Sequence, residues 1–413
     1  DVYVDLLRWA TVLSPQGRQV GFARAEADLE YKLMSAIRKQ VRVEPGIVAL
    51  LQGHGELPAE AVPDLAAEIQ TSYQLYTLDL SKTPNYEISP RIDVLLVLQP
   101  TRPFSERDKY ELDQHLMRGG RILWVFDQEQ VDMDMYRKQS ALSQLYELNL
   151  DDLFMRYGLK VNYDLIQDQN CELTEVFQTD AEGGNFVSKR WLFYPMVTAF
   201  PVHPISRNVD AVLLRYAASI DTFFQEGVRK SVFLQSSPQS RTIQGQQFID
   251  LNAYLQTPPP EALFNQGPQI AGVLAEGIFQ SLFVGREVPT DSLAPNPPPA
   301  RFGPQNNPIA PGAFAVIADG EFVQGKLFQG QRGYMPYDNK NMVMNAIDYL
   351  AGDETLTRIR AKEVVMRRLN FDKVQGRTGT IRFLTIGLPL LLIVGAGLGR
   401  AFLRRRRYGR RVS

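Results

Sequence analysis

Near its end the chain carries a run that a water-soluble fold can hardly place: FLTIGLPLLLIVGAGLG, Phe383 to Gly399, 17 residues without a charge. Only Arg400 separates it from Ala401, Phe402 and Leu403. A bilayer core of roughly 30 Å takes about 20 apolar residues at helical rise, so the run spans if Arg400 snorkels to the interface. Pro389 and the glycines Gly387, Gly395, Gly397 and Gly399 would weaken a soluble helix but are common in spanning ones. The other reading, a helix buried in a soluble core, fits poorly with the arginines clustered at its end: Arg400, Arg404, Arg405, Arg406, Arg407, Arg410 and Arg411. Basic residues flanking a span stay on the cytoplasmic side. The pattern therefore predicts a transmembrane helix over 383–403, a cytoplasmic Arg-rich tail over 404–413, and everything before about 380 outside. Lys373, Arg377 and Arg382 on the outer flank oppose this orientation but are outnumbered. Arg400 and Arg404 to Arg407 become the expected contacts to anionic lipid headgroups or a membrane partner.

The rest of the chain has the composition of a globular protein, 44% hydrophobic and 22% charged, with room in 413 residues for two or three domains. Its formal net charge of −1 becomes −8 once the seven tail arginines are set aside. The outer region is thus mildly acidic, and nucleic acid is not an expected partner. One cysteine, Cys171, excludes an intrachain disulfide and a Cys-based metal site. The chain begins at Asp1 without a secretion signal, so an outside domain implies a span or domain ahead of residue 1.

Residues 1–44 read as the end of such an earlier unit, with a strand-like VYVDLLRW and a helical LEYKLMSAIRKQV. Pro45 and Gly46 open the main α/β domain, expected over 45–370. GIVALLQG at 46–53, IDVLLVLQP at 92–100 and RILWVFD at 121–127 are short apolar runs of the kind buried on both faces of a parallel sheet. LYTLDL at 75–80 is a further strand. Between them lie a helix at about 59–73 and one begun by Ser105, with Asp108 three residues on, and ended by Gly119-Gly120. Strands alternating with helices in this way predict an α/β fold, an open parallel sheet flanked by helices. NLDDLFMRYGLKVNYDLIQD at 149–168 reads as a helix closed by Gly158, then a strand. A β-rich insertion comes next over about 170–260, including RKSVFLQSS at 229–237. The Pro-rich segment 288–311 is an expected exposed loop. AFAVIADGE at 313–321 and NKNMVMNAIDYLAGD at 339–353 add a late strand and helix to the same sheet, and 371–382 is a basic connector to the span.

The sequence contains no P-loop, GxGxxG, GxSxG or HExxH. The turn Gly53-His54-Gly55-Glu56 is the one suggestive feature. It sits at the carboxyl end of the first strand, where open α/β sheets bind ligands, and His54 with Glu56 could polarise one. A tight turn whose imidazole caps a neighbouring loop is the plainer reading. His115 is expected at a helix surface or edge and His203 in a turn, and three scattered histidines make no metal site. Asp127, Asp132 and Asp134 read as a solvated loop, Asp151 and Asp152 as a helix N-terminus. Cys171 lacks the strand-to-helix elbow that activates a nucleophile and reads as an inert thiol. No enzyme activity, cofactor or metal is expected.

The order of particular blocks carries a resemblance. EYKLMSAIRK, IVALLQGHGEL, PTRPFSERDKYELDQHLMRGGRILWVFD, NLDDLFMRYGLKVNYDLIQDQNC, SIDTFFQEGVRKSVFLQSSPQSR and NAIDYLAGDETLTRIRAKEVVMRRL, with LPLLL and RRRRYGRR at the end, resemble the gliding-motility-associated ABC transporter auxiliary subunit, the GldG family. The blocks run through nearly the whole chain, and the family's N-terminal span is absent, as the abrupt start implies. The resemblance implies a flavodoxin/amidotransferase-like domain, similar also to that of an intraflagellar-transport scaffold protein. No cysteine follows Val125 or Phe126, where an amidotransferase elbow would fall, so that activity does not carry over. It implies an ABC permease subunit as partner and, through it, a cytoplasmic ATPase. With the tail's orientation it implies a bacterial inner membrane, with the bulk of the chain periplasmic and the C-terminus cytoplasmic. A structural scaffold of a cell-envelope motility or secretion machine, without transport, is the second expectation; a hydrolase using His54 and Glu56 is the third.

Overall fold

The computed structural model describes residues 45–82, 87–133, 140–180, 183–286, 288–289, 310–325, 327–328, 331–332, 335–352 and 400. The expected N-terminal unit, most of the Pro-rich segment, the connector, the apolar run and the tail beyond Arg400 lie outside the described residues. The chain divides into two compact units, Asp1–Glu363 and Val364–Ser413, and the strands and helices named here all belong to the first. Among the described residues no helix is long and apolar enough to cross a membrane.

Strand β1 (Gly46–Gln52) opens the fold, and α1 (Pro63–Gln70) comes after a short 3-10 turn at Ala59–Ala61. The helix expected from residue 59 restarts at Pro63, because proline there has no N–H to lose and its φ suits the first helical position. Next come β2 (Tyr73–Asp79), β3 (Val94–Leu98), α2 (Glu106–Met117) and β4 (Arg121–Val125). Helix α3 (Asp151–Arg156) leads to β5 (Leu159–Val161) and β6 (Asp164–Asp168). The β-rich part contains β7 (Cys171–Asp180), β8 (Gly183–Val197), β9 (Val212–Leu213), β10 (Ile220–Thr222), β11 (Val228–Gln235) and β12 (Ser240–Gln244). It ends with α4 (Leu251–Gln256), after which β13 (Ile270–Gly277), β14 (Gly312–Ile317) and α5 (Asn339–Leu350) complete the main sheet and its cover.

The main sheet has seven strands in the order β11-β13-β14-β4-β3-β1-β2. Its five strands from β14 to β2 pair in parallel, but β13 pairs antiparallel with both β14 and β11 and so runs against the other six. The sheet is thus mixed, where the sequence pattern suggested a parallel one. RKSVFLQSS, expected in the insertion, instead joins the main sheet as β11 and extends it through β13.

Side chains alternate between two covered faces, which is why these strands read as unbroken apolar runs. Val48, Leu50, Leu96, Leu123 and Ala315 pack beneath Leu65 and Ile69 of α1 and Met342, Val343 and Ile347 of α5. Ala49, Leu51, Val97, Trp124 and Val316 face Leu112 and Leu116 of α2 and Phe154 of α3. A smaller core around Leu165, Trp191, Phe193 and Ile249 holds the β-rich part together.

Helix α2 is fastened at both ends. Ser105 Oγ accepts the Asp108 N–H while the Asp108 carboxylate accepts the Ser105 N–H, a reciprocal capping box. At the other end Gly119, at φ +85°, donates to Leu116 O and Gly120 donates to His115 O, the Schellman pairing.

Candidate functional site

Because β1 lies between β2 and β3, the chain reverses its lateral direction beside β1. A crevice between the carboxyl ends of β1 and β3 is where such sheets admit ligands. Here the turn after β1 carries Gly53 at φ +130° and Gly55 at φ +79°, conformations that favour glycine. They fold the turn back so that His54 O accepts the N–H groups of Thr101 and Arg102, from the segment after β3, at 2.8 and 2.9 Å. A Cβ on Gly55 would collide with the Thr101 hydroxyl. The two loops are thereby laced together across the crevice.

His54 is 7% exposed, and both ring nitrogens are engaged. Nδ1 meets Glu56 Oε1 at 2.9 Å and Nε2 meets Asp108 Oδ2 at 3.1 Å. Phe104 stacks on the ring with centroids 3.8 Å apart and planes at 15°. Burial alone would lower the histidine pKa, but the hydrogen bonds to Asp108 and Glu56 and their negative charges outweigh it and raise it to about 9. The side chain is therefore a cation at neutral pH, held between two carboxylates. One of those carboxylates also caps α2, so the imidazolium ties the β1 turn to that helix. With both nitrogens donating, His54 has none left to act as a base or ligand without breaking an internal contact.

Further along the same edge, sequence reasoning missed a buried group of acids. Asp127, expected in a solvated loop, is 5% exposed and its Oδ2 accepts the Gly320 N–H at 2.9 Å. Burial pushes its carboxyl up to about 7 against the pull of that N–H. Asp319, fully buried after β14, accepts the Arg215 N–H at 2.7 Å through Oδ2, and burial holds it well above the usual carboxylate range. Glu321, likewise raised by burial, lies 3.6 Å from the Arg215 guanidinium. Asp319-Gly320 stands after its strand as Gly53-His54 stands after β1; that parallel was the signal available in the sequence. Arg215 comes from the β-rich part and left no local trace. Asp132 is exposed, as expected, and Asp134 lies outside the described residues.

The remaining expected residues fall elsewhere. His115 is 2% exposed, not at a surface, and burial lowers its pKa to about 4. A Cβ on Gly120 would strike its ring, so the glycine pair that ends α2 also makes room for it. Helix α2 is so polar that no apolar stripe reveals its inward face. His203 lies in a turn, its Nδ1 accepting the Ile205 N–H, and burial lowers it to about 4. Asp151 and Asp152 occupy the first turn of α3. Cys171 is half-buried, and burial raises its thiol to about 11, so it holds little thiolate at neutral pH. Among the described residues no group of three or more His, Cys, Asp or Glu side chains is placed to hold a metal ion. The tail residues Arg404 to Arg407 lie outside the described residues.

Residues 47–346 match the family described as "ABC-type uncharacterized transport system" (ABC_transp_aux). Among solved structures the chain is similar to one titled "mmIFT52 N-terminal domain", with 10% identity and a TM-score of 0.41. That likeness covers 74% of this chain and 97% of the other. No curated protein sequence matches significantly.

Proposed function

From a chain that belongs to the ABC-type uncharacterized transport system family, we propose a non-enzymatic, membrane-anchored auxiliary subunit of the gliding-motility-associated GldG type. Family membership makes the protein an auxiliary component of an ABC-type transport system, which works with transporter partners. The match over residues 47–346 is the observation that carries the reading, since it takes in every strand of the main sheet. The proposed partners are a membrane permease and, through it, a cytoplasmic ATPase. The apolar run 383–403 and the tail arginines, Arg400 and Arg404 to Arg407, support an inner-membrane anchor with the α/β domain periplasmic. The non-enzymatic role is supported by His54, whose two nitrogens are bound to Glu56 and Asp108, and by the lacing of the β1 and β3 loops over the crevice.

Affinity purification of the full chain from native membranes tests this reading, with a permease-like protein and an ATPase expected among the partners. Recovery of motility or secretion components without either would replace the transporter role with a scaffold role. Orientation is tested separately: a cysteine introduced as Gly376→Cys should react with a membrane-impermeant maleimide from the outside, and labelling only after lysis would reverse the topology.

A further inference from the structure

Two grooves outside the carboxyl edge differ in what their polar groups are already doing. The larger, about 690 Å³, runs along the amino ends of β4 and β14. Its polar groups are committed to one another. Arg121 donates to Leu350 O at 2.7 Å, Arg229 pairs with Glu276 at 2.9 Å, and the Tyr349 hydroxyl donates to Glu276 Oε2. The smaller, about 290 Å³, lies between β8 and the end of α4. Lys189 and Arg190 line it, and neither makes a side-chain hydrogen bond or ion pair among the described residues.

Two consecutive cations line this groove just before a break in the β7–β8 ladder. Arg190 pairs with Leu173, but the next pairing joins Pro195 to Cys171, so the register shifts between Cys171 and Leu173. Lys189 and Arg190 pair in register with Thr174 and Leu173, and the irregularity falls just after them, bending and twisting the strand there. The facing wall is apolar and fixed. Tyr254 meets Trp191 edge-on at 6.0 Å and Phe193 at 5.1 Å, while Asp250 caps α4 by accepting the Ala253 N–H. Pro258 and Pro259 extend that wall, and proline leaves little backbone freedom to lose on binding. Two cations face one carboxylate, Glu261, so the groove is net positive.

We infer that this groove binds a small organic carboxylate, its anion between Lys189 and Arg190 and its apolar body against Tyr254 and the two prolines. The volume admits roughly ten water-sized groups, the scale of a single amino-acid derivative or a peptide's last residue. Unpartnered charge beside a rigid apolar wall is the arrangement by which small-molecule sites fix orientation. Lys189 is half-buried and Arg190 exposed, so binding rests on partly screened charge and weakens as salt rises.

The test is titration of the full 413-residue chain, in mild non-ionic detergent, with N-acetyl-L-phenylalanine, its carboxamide and acetate, monitored by calorimetry and Trp fluorescence. The acid should bind at millimolar strength or better, with the carboxamide and acetate each at least about tenfold weaker. Lys189→Gln with Arg190→Gln should lose about tenfold or more in affinity for the acid with the near-UV spectrum unchanged. Tyr254→Leu should weaken the acid several-fold while leaving its salt dependence intact. Equal binding of acid and carboxamide, equal binding of acid and acetate, an unaffected double variant, or no binding of the acid at about 10 mM would each overturn the assignment. A glycine-rich pentapeptide ending in Phe separates two sources of the same chemistry: its binding assigns a terminal peptide carboxylate, and its exclusion assigns a free small anion.

Discussion

The His54 cation should leave a measurable trace in how stability depends on pH. Its folded pKa of about 9 stands above the ordinary 6.5, so the folded state holds the proton more tightly. The resulting stabilisation is complete below pH 6.5 and disappears as pH rises through 9. Evaluated from those two values it is about 2.5 kcal/mol at pH 7 and about 0.4 kcal/mol at pH 9, a loss of about 2 kcal/mol. Near-complete burial of His54, Glu56 and Asp108 leaves little solvent to screen that contribution. Other groups that titrate in this interval act alike in the parent and in a His54 variant. His115 and His203, lowered to about 4, are neutral in the folded state but partly protonated when unfolded at pH 7, so together they add back about 0.3 kcal/mol by pH 9, and Cys171 titrates near 11. Asp127, near 7, adds a further loss of about 0.4 kcal/mol, which a His54 variant would share. Urea unfolding at pH 7 and pH 9, monitored by tryptophan fluorescence, compares the parent with His54→Gln. With a slope of about 2–3 kcal/mol/M, the parent midpoint should fall by about 1 M over this range and that of the variant by about 0.2 M or less. Equal falls in the two proteins would refute the account of His54 as a buried cation between two carboxylates.

Gly55→Ala places a side chain at φ +79° against the Thr101 hydroxyl and should cost about 2 kcal/mol or more, read as a lowered urea midpoint. Asp113→Ala leaves the Tyr157 hydroxyl, the Ser281 hydroxyl and the Leu282 N–H without their buried acceptor. A loss of about 3 kcal/mol or more should result, with partial recovery in Asp113→Asn, whose amide oxygen still accepts. Asp127 also shapes acid stability. A carboxyl raised from 3.8 to about 7 favours the folded state increasingly as pH falls through that range, by about 3 kcal/mol between pH 7 and pH 4. His115 and His203, lowered to about 4, work the other way over the same range. Asp127→Asn should therefore lose stability between pH 7 and pH 4 more steeply than the parent, and a shallower loss would contradict the burial of Asp127.

Much of the main sheet was legible because its cause is local. GIVALLQ, VLLVL, RILWV and GAFAVI are apolar at nearly every position since both faces of each strand are covered, and such a run announces itself wherever it sits. Ser105 with Asp108, and Gly119 with Gly120, marked both ends of α2, because caps are made by residues a few positions apart. The inward face of that helix was not legible. Lys109 is fully buried and pairs with Asp152, and Asp113 collects donors from residues 157, 281 and 282. Such partners are distant in the chain, so no periodicity records them. The antiparallel extension by β11 and β13 escaped for a related reason. An apolar strand does not state the direction of its neighbour, and backbone pairing across a long separation settles that.

The Gly53–Glu56 turn shows the division most clearly. From sequence alone, its glycines, its place after a buried strand and the presence of His54 marked it as a special turn. Whether that histidine faced a ligand or the protein depended on Asp108 and Phe104, some fifty residues away, which supply its second carboxylate and its stacking partner. The apolar run at 383–403 is the opposite case, since its argument rests on contiguous residues and solvent preference. Local steric and solvation preferences are written in neighbouring residues; they determined the strands and the caps, and they carry the expectation of an anchor. Charge, protonation and the closing of the crevice depend on what folding brings together and shields from water, and only the tertiary structure decided those.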